Sequence, residues 1–109
     1  MFLSKGIILI LIHIFVFLKH VENSETFNEC LLCKHIIELA ESHFHKNEPK
    51  DFVLEELESE CLYAGSLYGG RSATMYCINQ VKKNINLIYD DFEEKMNFEE
   101  ICHQLGDCK

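Results

Sequence analysis

Six cysteines constrain this chain more than any other feature. Cys30, Cys33, Cys61, Cys77, Cys102 and Cys108 fall as C-x2-C, then single cysteines after gaps of 27, 15 and 24 residues, then C-x5-C. An even number in a chain of 109 residues reads as a disulfide framework holding one small domain. All six lie beyond an apolar N-terminal stretch. Lys5 supplies a positive start, residues 6–18 form an apolar run, and polar residues 19–24 follow. That is the shape of an export signal, and the run falls short of the ~20 apolar residues of a membrane-spanning helix. The expectation is a cleaved leader over residues 1–24 and a mature domain over 25–109. No clean small-x-small cleavage site is visible, so an uncleaved anchor is the alternative. Secretion, or delivery to a lysosome or acidic granule, follows from the leader and the cysteines together.

Charge excludes some partners. From Glu25 onward eight Lys and Arg face seventeen Asp and Glu, a net of −9. Nucleic acid is not expected as a partner, because its affinity comes largely from neutralised phosphates. At neutral pH nothing steers such a domain to an anionic membrane either. A chain of this size buries a modest core, a deficit that disulfides commonly make up in secreted domains.

Periodicity predicts an all-α domain of four to five amphipathic helices. From Cys30, Leu32, Ile36, Leu39, Ala40 and Phe44 repeat at three and four residues. Asn47-Glu-Pro49 breaks that helix, with Asn47 as expected cap and Pro49 in the first turn of the next. The second helix carries Phe52, Val53, Leu57 and Cys61, which ends it. Tyr63 to Arg71 contains Gly65, Gly69 and Gly70 and reads as a loop or hinge. Ser72 is the expected cap of a third helix, opened by Cys77, whose stripe is Ile78, Val81, Ile85, Ile88 and Phe92. Its acidic tail, residues 90–94, sits at the unfavourable end of the helix dipole, so fraying is expected there. Asn97-Phe-Glu-Glu100 resembles a capping box. It opens a short last helix with Phe98, Ile101, Cys102 and Leu105 turned inward and Gly106 at its end.

Six cysteines allow fifteen pairings, and spacing alone leaves them open. Cys30 and Cys33 share a face one turn apart. If the final segment runs back beside the first helix, Cys108 can reach Cys30 and Cys102 can reach Cys33, leaving Cys61 and Cys77. Zinc is the competing use, since C-x2-C is half a zinc site and His103 adjoins Cys102. A redox pair would need a βαβ context that the pattern lacks. His43 and His45 fall on different sides of a helix, which argues against a metal site there. Gly65-Ser66 lacks the G-x-S-x-G frame of a nucleophile elbow. Lys82-Lys83 is too small a patch for nucleic acid. The chain is read as a non-enzyme without cofactor or metal.

The cysteine order, the C-L-L-C opening, the C-H-Q-L-G-D-C close and the amphipathic helices together resemble the saposin B-type domain, from Cys30 to Cys108. The resemblance implies pairing of first with sixth, second with fifth and third with fourth cysteine. One departure is the interval between Cys61 and Cys77, fifteen residues where the family usually has fewer. Saposin-like domains act on lipids without catalysis, opening about the hinge between the second and third helices. On that analogy Ile36, Leu39, Val53, Leu57, Ile78, Val81, Ile85 and Ile88 are core in a closed monomer and lipid-contacting after opening.

Within the family the acidity resembles the sphingolipid activators. The lone domain and the lack of an N-x-S/T sequon resemble amoebapore- and caenopore-type members, which permeabilise membranes. His103, between the last two cysteines, loosely matches a histidine linked to acid activation in amoebapores; His35 is a second candidate pH sensor. Independently of the analogy, histidines with ordinary pKa near 6.5 are mostly charged by about pH 5, so the net charge becomes less negative and an anionic membrane easier to approach. The leading expectation is a secreted membrane-permeabilising protein, in antimicrobial or digestive defence, favoured by acid. Membrane lipids are its partners, with homo-oligomers on the membrane. The alternatives are a non-lytic lipid-transfer activator of a lysosomal hydrolase and a secreted structural or signalling module with a sealed core.

Overall fold

The computed structural model describes residues 26–109, so the expected leader over 1–24 lies outside the described residues. Those residues form five α-helices and no strand: α1 (Glu29–His43), α2 (Lys50–Tyr68), α3 (Arg71–Lys83), α4 (Ile85–Glu93) and α5 (Phe98–Gln104). The fold is all-α and stapled by three disulfides, Cys30–Cys108, Cys33–Cys102 and Cys61–Cys77. No cysteine is left free for zinc.

Local chemistry sets most helix ends. The Asn28 side chain accepts from the Leu31 N–H at 3.0 Å and so caps α1, with Glu29 placed favourably in the first turn. Asn97 caps α5 in the same way, accepting from Glu100 N–H at 2.9 Å. Past α5, Gly106 takes a left-handed φ of 83° and the Asp107 and Cys108 N–H groups both return to the Cys102 carbonyl. Asn47 is not a cap: it has φ 69° and its N–H donates to Glu93. Pro49 stands there instead, its carbonyl accepting from Phe52 and Val53.

The glycine-rich segment is not a loop. α2 runs unbroken through Cys61 and Gly65 to Tyr68, and α3 begins at Arg71 with Gly70, not Ser72, before it. Cys61 and Cys77 therefore lie within their helices, and the connection shrinks to Gly69-Gly70. Each glycine has its own reason. A Cβ on Gly65 would lie 2.0 Å from Thr74 Oγ1 and 2.6 Å from Thr74 Cα, so α2 and α3 touch backbone to backbone there. A Cβ on Gly69 would meet Phe27 at 2.7 Å. Gly70 has φ 74°, the left-handed region that favours glycine. The N–H groups of Gly69 and Gly70 both donate to the Gly65 carbonyl, closing the helix end.

The long third helix of the sequence reading is two helices. Asn84 Nδ2 donates to the Gln80 carbonyl at 2.9 Å, the acceptor its own backbone N–H also uses, and the helix restarts as α4. Asn favours such local side-chain bonds over helix continuation. The apolar stripe survives the break: Val81, Ile88 and Phe92 are buried, Ile78 and Ile85 partly so. Asp90, Asp91 and Glu93 lie inside α4, which closes through left-handed Lys95 and a bond from Met96 N–H to the Asp91 carbonyl.

α2 packs along both α1 and α3, α5 lies on α1, and α4 rests against α2 and α3. Their shared core holds Leu32, Ile36, Ile37, Val53, Leu57, Ala64, Val81, Ile88 and Ile101, with Cys33, Cys61, Cys77 and Cys102 among them. At the far end from the outer bridges, the Phe44 ring meets Tyr89 and Phe92 at centroid distances of 5.9 and 5.4 Å.

Gly65→Ala discriminates between a hinge and a close contact. In an ordinary helix this change stabilises by roughly 0.5–1 kcal/mol. Against the Thr74 backbone, overpacking of about 1–3 kcal/mol outweighs that gain. Urea unfolding of the variant should therefore show a lower midpoint; a raised midpoint would mean that the helices are not in contact there.

Candidate functional site

The residues expected to meet lipid are core in this form. Ile36, Val53, Leu57, Val81 and Ile88 are buried, and Leu39, Ile78 and Ile85 are partly buried. Between α1 and α3 the residual space is about 10 Å³, walled by Leu32, Ile36, Val81 and Leu105. Lipid contact through these residues requires the helices to part.

A different apolar surface is already exposed. Leu62, Tyr63 and Leu67 are each 61 % exposed and Met75 is 49 % exposed. Tyr63 and Leu67 are one turn apart and so neighbours on the exposed side of the second half of α2, with Leu62 exposed next to them in sequence. Met75 is on α3 of the same hairpin. Charge is distributed to match: from Cys61 to Tyr89 there is no Asp or Glu, while Arg71, Lys82 and Lys83 are present. Most acidic residues instead occupy α2 before Cys61 (Asp51, Glu55, Glu56, Glu58, Glu60), the second half of α1 and residues 90–100, although Glu29 and Asp107 meet α3 at the Tyr76 hydroxyl. Read as a loop, residues 63–71 give no helical face, which hides this surface in the sequence. An acid-free interval in so acidic a chain was the available signal.

The two histidines expected to sense pH sit on different elements. His103 is exposed on α5, with Nδ1 3.2 Å from the Cys108 carbonyl oxygen. His35 on α1 is partly buried between rings, with Nδ1 3.3 Å from the Tyr68 hydroxyl and a centroid distance of 6.5 Å to Tyr63. Its Nε2 is buried with no hydrogen-bond partner. His45 lies beyond the end of α1, so it is not on an opposite helical side from His43. His43, in the last turn, reaches α2 instead, with Nδ1 2.8 Å from Glu56 Oε1.

Three carboxyls titrate above their usual range. Asp91 is 4 % exposed on α4, its Oδ2 without a partner; burial raises its pKa, and the charges of Glu94, Asp90 and Glu100 add to that. Burial likewise raises Glu41, whose Oε2 is buried and unpartnered. Asp107 is raised by burial, against the opposing hydrogen bonds from Tyr76 and Gln80. The Tyr76 hydroxyl is in turn pushed up by burial and by Asp107. This polar knot ties α3 to the C-terminal segment beside Cys30–Cys108.

A cavity of about 340 Å³ beside Phe44 and Phe92 is edged by Glu41, Glu93, Lys46 and Lys95, two charges of each sign. No family model matches the chain, and neither a curated protein nor a solved structure was found to resemble it.

The raised carboxyls carry a definite sign. A group whose folded pKa exceeds its unfolded value contributes stability that is complete below the unfolded pKa, near 4 for carboxyls, and lost as pH rises through the folded value. Asp91, Glu41 and Asp107 all act in that direction. Thermal unfolding followed from about pH 4 to pH 7.5 should show a falling Tm. Asp91→Asn should flatten the slope and raise the Tm at neutral pH; an unchanged slope would show that Asp91 does not contribute.

Proposed function

We propose that this is a secreted, non-enzymatic, saposin-like protein that engages lipid membranes and permeabilises them, in antimicrobial or digestive defence and preferentially in acid. One observation carries the reading: the end of α2 from Cys61 and the whole of α3 hold no Asp or Glu and expose Leu62, Tyr63, Leu67 and Met75 on an otherwise strongly acidic domain. Three disulfides in a small domain are compatible with an extracellular setting. Monomers rarely keep contiguous apolar patches of this kind without a use for them.

On this reading the hairpin makes first contact while the core is closed. Tyr63 suits the interface, having an apolar ring and a polar tip. Acid favours the encounter because neutralised carboxyls reduce repulsion from anionic headgroups. The core stripes, Ile36 and Leu57 with Val81 and Ile88 among them, join only if the helices separate on the surface. Among the described residues no helix is long and apolar enough to cross a membrane, so permeabilisation would fall to several copies acting together.

The test uses the oxidised protein, residues 25–109, with dye-loaded anionic vesicles at about pH 5 and about pH 7, either side of the ordinary imidazole range, and labelled-lipid transfer in the same samples. Leakage at the lower pH that fades at the higher is the expected result. Transfer without leakage would replace permeabilisation with a lipid-carrier role, and silence in both would leave a sealed module. Leu62→Asp and Leu67→Asp should each weaken vesicle binding about tenfold or more, since burying a leucine is worth roughly 1.5–3 kcal/mol. Undiminished binding by both would remove the hairpin from the interface.

A further inference from the structure

The disulfides divide the domain into two covalently stapled halves. Cys30–Cys108 and Cys33–Cys102 join α1 to α5 and the chain end, and Cys61–Cys77 joins α2 to α3. No disulfide crosses from α1 to α2. Across that seam His43, Glu56 and Glu60 converge, each offering a ligand atom within 4.8 Å of the others.

We propose that His43, Glu56 and Glu60 form a divalent transition-metal site, fitted best to Zn²⁺, that bridges α1 and α2. Glu56 and Glu60 stand one turn apart on the rigid middle of α2, so their carboxylates project side by side. His43 enters from the last turn of α1, its Nδ1 already 2.8 Å from Glu56 Oε1. A surface His–Glu pair by itself is worth little, and it accounts for one carboxylate only. The second, one turn along, repels the first, and a single imidazole nitrogen bonded to Glu56 does not reach both. A dication does.

The donor set selects among metals. One imidazole nitrogen with two carboxylate oxygens, at bond lengths of about 2.0–2.2 Å and with water completing the shell, is a zinc arrangement. Drawing the three donors onto one ion requires small side-chain adjustments, and both Glu56 and Glu60 are only partly buried and free to make them. Calcium wants roughly six to eight oxygens and gains nothing from imidazole. The sequence offered no hint, because the three residues are thirteen and four apart and meet only when α1 folds against α2. Metal binding here does not depend on whether the protein meets a membrane.

The experiment is calorimetric titration of Zn²⁺ into the oxidised protein near neutral pH, with Co²⁺ as a spectroscopic probe of imidazole ligation. One site is expected, with a Tm that rises with added Zn²⁺ as mass action requires. His43→Ala and Glu60→Gln should each weaken binding by about tenfold or more and abolish the Tm rise, with helical content retained. His45→Ala and Glu55→Gln, a histidine and a carboxylate outside the cluster, should bind as the parent does. An equal loss in Glu55→Gln would assign the binding to the acidic surface at large and overturn the site, as would the absence of binding by the parent protein.

Discussion

The structure depends first on the two disulfides that fasten the opening turn of α1 to the end of the chain. Cys30–Cys108 and Cys33–Cys102 span sequence separations of 78 and 69 residues. Either alone removes about 4 kcal/mol of unfolded-chain entropy. The two are not additive, because once one has formed the other closes only the short circuit through residues 30–33 and 102–108. What the second bridge adds is orientation. It prevents α5 from rotating on α1, which a seven-residue helix could not do by its own packing. With the ends held, the remaining helices need only a small core, and Ile37, Leu57, Ile88 and Ile101 at 0 % exposure supply its centre.

The α2–α3 hairpin uses its residues in two opposed ways. Inward, Gly65 and Ala73 bring two backbones close enough for the third disulfide to sit within both helices. Outward, it leaves leucines and a tyrosine in water. Tight inner packing makes the outer display possible, because a helix pair held this closely does not need those side chains for stability. Acidic residues are concentrated elsewhere, on the second half of α1, the first half of α2 and α4, where Glu41 on α1 is partly and Asp91 on α4 almost wholly kept from solvent. The domain is therefore electrically and chemically polarised along its hairpin.

Helix identity was legible where a repeat or a cap acts locally. The stripe from Leu32 to Ala40 and the Asn97 cap with Glu100 three residues on needed no tertiary information. The glycines misled because the sequence cannot distinguish a glycine required by φ, as at Gly70, from one required by a neighbour's approach, as at Gly65. Thr74, the neighbour in question, lies nine residues away on another helix. The break at Asn84 was hidden for the opposite reason: an uninterrupted apolar stripe runs across it, and one side-chain amide decides the matter. The candidate site divided similarly. The stripes are legible from their spacing as helix faces, and five of the eight residues are buried, whereas the exposed hairpin requires knowing that α2 continues to Tyr68, and His43 with Glu56 and Glu60 requires knowing which helices adjoin.

The order of the bridges has a consequence for the protein's endurance. Because Cys30 and Cys33 precede everything they enclose and Cys102 and Cys108 follow it, residues 34–101 lie within a covalent ring. A protease that cuts once inside that ring produces a nick and no departing fragment: the two pieces stay fastened at the far side. A cut in the Gly69-Gly70 turn is spanned again by Cys61–Cys77. Shedding any internal segment takes at least two cleavages, and a single nick leaves the domain covalently whole.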